Sequence, residues 1–175
     1  MRPIDPYSYH CGVMDSFCEI VAAGIKPMAL SHPFASPEER SEYREYVWKL
    51  ADQYGVLLAE EDSLPVTLLF PAEVCEKAYV FLFLGSSAVQ ERYLALRDQT
   101  AELRRSGQYD TQAQLTAARE FGSLLGYTSE AVERMIAANA EVKRAVLLRL
   151  CKFHKIELDF LANLLKSLGQ SVGKR

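Results

Sequence analysis

Apolar positions along the chain fall into two regimes. Up to about residue 86, short and uniformly apolar runs alternate with amphipathic stretches; beyond it, every segment repeats at spacings of three and four. In "YHCGVMDSFCEIVAAG", Val13, Phe17, Ile20 and Val21 recur at helical spacing and Gly24 supplies a C-terminal cap. "IKPMALS" then predicts a buried strand, with Pro27 near its start, where a missing N–H is tolerable. "SPEE" signals a helix start: Ser36 as N-cap, Pro37 at the first helical position, Glu39 closing a capping box. Tyr43, Tyr46, Val47, Leu50, Ala51 and Tyr54 make its apolar face, and Gly55 ends it. "VLLAEED" predicts a second strand and "VTLLF" a short one stopped by Pro71. "AYVFLFLG" predicts a strand covered on both faces.

In the second regime Val89, Tyr93, Leu96, Thr100 and Leu103 form a narrow seam. "SGQYD" turns the chain with Asp110 as N-cap, and Leu115, Ala118, Gly122 and Leu125 carry an antiparallel partner. Thr128 or Ser129 caps a third helix, and no glycine interrupts the chain from there to Gly169. About 40 residues of helix would be ~60 Å long, so this segment either bends near residues 153–157 or projects. "AVLLRLCKF" is apolar around much of its circumference, and Leu158, Leu161, Leu165 and Leu168 form a second seam. A lone subunit has difficulty covering both, which predicts a homo-oligomer, a dimer joined through the C-terminal helices.

Strand, helix, strand with uniformly apolar strands predicts an α/β fold, with α+β as the alternative. The expected architecture is a small, mainly parallel sheet of three or four strands flanked by helices. Residues 1–86 would hold this layer, and residues 87–175 a helical hairpin and a long C-terminal helix or helix pair.

Composition changes this picture little, because 49% apolar and 25% charged residues are ordinary for a globular chain of 175 residues. A net charge of −3 argues against nucleic acid as a partner. The charge is uneven: residues 1–87 carry 6 basic and 13 acidic groups (−7), 88–140 carry 6 and 7 (−1), and 141–175 carry 8 and 3 (+5). Internal complementarity, subunit packing and an anionic partner would each produce that asymmetry. "MRPIDPYSYH" lacks the apolar core of a secretory signal, and no run is long enough to span a bilayer. Four scattered cysteines fit reduced thiols in a cytoplasm.

Metal and thiol chemistry find little support. Cys11 and Cys18 lie two helical turns apart, ~10 Å, too far for one tetrahedral ion. Cys151 and His154 would share a helix face as half a site, with nothing to bring His10, Cys11 or His32 to them. Cys11, beside His10 near a helix start, is a weak candidate nucleophile. The expectation is therefore no metal and no cofactor.

The stronger constellation is positional. In parallel sheets, ligands bind beyond the carboxyl ends of the strands. Ser31 and His32 follow the first strand, Glu60, Glu61 and Asp62 the second, and Gly85, Ser86 and Ser87 the last. Parallel strands would bring all three sets to one rim, where histidine near carboxylates suits proton transfer and "GSS" offers N–H groups to a small anionic ligand. The plainer reading is loop chemistry, with Ser86 or Ser87 simply capping a helix. The aromatic residues of the second helix, Trp48 included, pack on the sheet, and Lys143, Arg144, Arg149, Lys152 and Lys155 form a solvated face. The sequence thus leaves two functional readings, a ligand-binding rim with or without catalysis, and an interaction module whose C-terminal helices bind a partner protein.

Overall fold

A computed structural model describes residues 5–70 and 72–154, with side chains through Glu141. Asp5 caps the first helix, α1 (Pro6–Ala22), by accepting from the Ser8 N–H, with Pro6 at its first position. Ser36 accepts from the Glu39 N–H as expected, but the Glu39 carboxylate reaches one residue further back, to the Ala35 N–H at 2.6 Å. The predicted single helix is two: α2 (Pro37–Ser41) and α3 (Arg44–Tyr54), jointed at Glu42–Tyr43. Gly55 closes α3 at φ 67°, a left-handed conformation that costs glycine nothing.

The sheet is antiparallel, which corrects the expected mainly parallel arrangement. It holds β1 (Met28–Leu30), β2 (Leu57–Glu61) and β3 (Val80–Leu84) in the order β1-β3-β2. β3 lies in the middle and runs against both neighbours, with Ala29 and Leu58 flanking Phe83. β1 and β2 therefore do point the same way, but the gap that their helical crossover leaves between them is filled by β3. Residues 66–70 form no strand; Thr67 Oγ1 accepts from the Leu69 and Phe70 N–H groups and curls them into a turn. The short helix α4 (Ala72–Cys75) follows.

All five residues of β3 are at most 1% exposed, because helices cover both faces. On one face Phe81, Phe83, Ala29 and Leu58 pack with Cys11, Met14 and Cys18 of α1 and with Val47 and Leu50 of α3. On the other, Val80, Leu82, Leu84 and Met28 pack with α5 (Ser87–Arg105) and α6 (Thr111–Leu124) through Tyr93, Leu96, Ala117 and Phe121. α5 and α6 form the predicted antiparallel hairpin, with Arg92 near the start of one bound to Glu120 near the end of the other. Thr128 Oγ1 caps the final helix, α7 (Ser129–His154), by accepting from the Ala131 N–H.

The chain divides into two compact units, residues 1–132 and 133–175, so the sheet, α5 and α6 belong to the first. Leu158, Leu161, Leu165 and Leu168 lie outside the described residues, as do the side chains of Cys151 and His154. Among the described residues no helix is long and apolar enough to cross a membrane.

Candidate functional site

Antiparallel pairing splits the expected rim. Ser31, His32, Glu60, Glu61 and Asp62 gather at the end of the sheet where β3 begins. Gly85, Ser86 and Ser87 lie at the opposite end, where the Gly85 N–H donates to the Pro27 carbonyl. There Ser86 Oγ accepts from the Val89 N–H and caps α5, the plain reading of "GSS". Gly85 is glycine for space, since a Cβ would stand 3.2 Å from the Pro27 carbonyl oxygen.

At the shared end, Ser31 extends the ladder. Its N–H donates to the Phe81 carbonyl at 3.0 Å, while its Oγ accepts from the Phe81 N–H and donates to the His32 carbonyl. The three acidic groups meet arginines. Arg44 binds the Glu60 carboxylate with Nε and one terminal nitrogen, at 2.7 and 2.8 Å. Arg97 of α5 binds Glu61 at 2.9 Å from the other face. Arg40, only 5% exposed, reaches Glu60 at 3.1 Å, Asp62 at 2.9 Å and the Glu61 carbonyl at 2.6 Å. Hydrogen bonding from Arg44 is the main cause holding the Glu60 carboxyl below its ordinary range, helped by the charges of Arg40 and Arg44 and opposed by burial. The carboxylates read as rim ligands are thus engaged in closing this end of the sheet.

His32 stands apart from them. It is exposed, its ring 5.8 Å from that of His10 and 5.9 Å from that of Tyr9. His10 in turn touches Phe34 and Tyr43, so α1, the segment after β1 and α3 meet in an aromatic cluster. Among the described residues no three His, Cys, Asp or Glu groups are placed to hold a metal ion. Cys11 is buried, and burial raises its thiol pKa; burial, with the charge of Asp15, pushes Cys18 up to about 12. Both therefore stay protonated near neutrality, which disfavours nucleophilic use.

One concavity lies where sequence reasoning did not look. A groove of ≈ 500 Å³ runs between α5 and α6, away from the strands' ends. Leu96, Leu103, Ala113 and Ala117 supply apolar walls, and Gln99 and Asp110 stand among its polar groups. The signal was in the helices themselves: Ala95 and Ala113 are small residues just off the buried seams, so the two backbones leave a trough there. No protein-family model matches the chain, no curated protein matches it in sequence, and no solved structure matches it in fold.

Proposed function

We propose that the protein is an interaction module whose helical half binds an amphipathic helix of a partner protein. The observation that carries this reading is the α5–α6 groove, an apolar trough with a polar border along an antiparallel helix pair. Helices recognise such troughs by laying an apolar stripe at spacings of three and four into them, and small residues on the receiving side permit close approach. The state of the rim supports the same choice. Its acidic groups are bound by Arg40, Arg44 and Arg97, and its glycine and serines lie at the far end of the sheet.

A photo-crosslinking amino acid placed at Ala95, in the groove, tests this against the same group at Ala101, exposed on α5 outside the groove. In cells, the Ala95 position should label one partner on the apolar face of a helix, and Ala113→Glu should abolish that labelling. Equal, scattered labelling from the two positions would overturn the reading.

A further inference from the structure

β2 is an outer strand of the sheet, and among the described residues no strand pairs with its far edge. The register sets Glu60 opposite Phe81. Phe81 turns both main-chain groups the other way, toward β1: its carbonyl accepts from the Ser31 N–H and its N–H donates to Ser31 Oγ. Main-chain groups alternate sides along an antiparallel strand, so Leu58 and Glu60 aim their N–H and C=O groups outward, away from β3. Among the described residues no hydrogen bond reaches those groups. The start of the strand, Leu57 and Leu58, lines a recess of ≈ 290 Å³ together with Trp48 and Asp52 of α3 and Gln90 of α5. Trp48, expected to pack on the sheet, is instead 53% exposed, and Leu57 is 40% exposed, so both large apolar side chains face water.

We propose that this edge binds a second copy of the chain, β2 against β2, antiparallel and centred on Ala59, so that the two sheets join across a twofold axis. The choice of partner rests on how the strand complements itself. Centred on Ala59, the pairing sets Leu58 of each copy against Glu60 of the other, which is a hydrogen-bonded pair because all their main-chain groups point outward. Leu57 then faces Glu61 of the other copy, and no two like charges stand directly opposite. Centring on Glu60 would oppose two glutamates, a destabilising pair. Centring on Leu58 would set Glu60 against Val56, outside the strand. Edge strands are usually kept apart by uncompensated charge. Here Glu60 is neutralised by Arg44 and Arg40, and Glu61 by Arg97, before any second copy arrives. The twofold stands perpendicular to the sheet, so both copies of Trp48 lie on the same face of the joined sheet.

This contact is independent of the α5–α6 groove and differs from dimerisation through the C-terminal helices. Light scattering on the full-length protein, combined with amide hydrogen exchange, separates them. The expected result is a particle of twice the 19.7 kDa chain mass. In it, the outward amides of Leu58 and Glu60 should exchange slowly, speeding up about tenfold or more when the dimer is diluted apart. Leu57→Lys, at an exposed position, should give a folded monomer with fast exchange at both amides. Trp48→Ala should weaken the dimer in the same direction, and Leu161→Glu with Leu165→Glu should leave it intact. A monomer at every concentration would overturn the proposal. So would a dimer whose Leu58 and Glu60 amides exchange fast, or one dispersed only by the Leu161 and Leu165 changes. Groove labelling from Ala95 should persist in the Leu57→Lys monomer, so either reading can fail without the other.

Discussion

Arg40 and Arg44 bind the same carboxylate from very different surroundings. Arg40 is buried, and its guanidinium serves Glu60, Asp62 and the carbonyls of Glu61 and Val80, with only Nε lacking a partner. Arg44 is half exposed and, among the described residues, binds Glu60. Removing one member of a buried charge cluster leaves the rest desolvated and unpaired, whereas an exposed pair is screened by water. Arg40→Met should therefore destabilise the fold by about 3 kcal/mol in urea unfolding, and Arg44→Met by about 1 kcal/mol or less. Equal losses would show that Arg40 closes the sheet no more than a surface pair does. The acidic run at 60–62 was legible in the sequence, and its partner was not. Arg40 continues the apolar stripe of Tyr43, Val47 and Leu50 three positions toward the N-terminus, so its phase marked it as inward-facing. A single arginine at the start of a helix is ordinarily solvated, which hid that phase.

Among the elements, the hydrophobic pattern located helices and strands and failed on strand direction. "AYVFLFLG" reads as doubly covered, and β3 is. Coverage on both faces is common in parallel sheets, yet what it reports is helices on each side, and an antiparallel centre strand between two helical layers has the same pattern. The alternation is still present, divided between two cores: Phe81 and Phe83 face α1 and α3, Val80, Leu82 and Leu84 face α5 and α6. "VTLLF" failed for a different reason, since Thr67 Oγ1 accepts from the Leu69 and Phe70 amides, two and three residues on, and offers the backbone a turn instead of a ladder. Helix packing was more legible. The spacing of Leu115, Ala118, Gly122 and Leu125 places Gly122 on the inner face of α6, and a Cβ there would collide with Cγ2 of Val132 on α7. Overpacking of this kind costs about 1–3 kcal/mol. Gly122→Ala should cost that much in the wild-type chain and measurably less in a Val132→Ala background, a coupling that a double-mutant cycle reads directly. Additive losses would mean that α6 and α7 do not meet at Gly122.

For the whole molecule, the composition changes at residue 87 while the compact unit ends at Val132. The two disagree because helical content and core membership are different properties. α5 and α6 are all helix, yet their buried residues complete the second face of the sheet, and among the described residues the two core clusters draw on none beyond Leu125. Tyr54 shows the same closure on the other face, donating to Asp15 at 2.8 Å and tying α3 to α1; that bond, with burial, pushes its hydroxyl pKa up to about 12. Tolerance of truncation follows from where burial and hydrogen bonding stop. A chain ending at Ala140 keeps both clusters, the three strands, the Thr128 cap and Val132. It should therefore fold alone, with a dispersed amide spectrum and one cooperative unfolding transition at a midpoint close to that of the full chain. Its net charge would be −8, the sum of −7 and −1 over residues 1–140, and the acidic surface would lose the +5 of residues 141–175. If the shorter chain melts without cooperativity, residues beyond 140 are part of the core, and the boundary at Val132 does not mark the end of a folding unit.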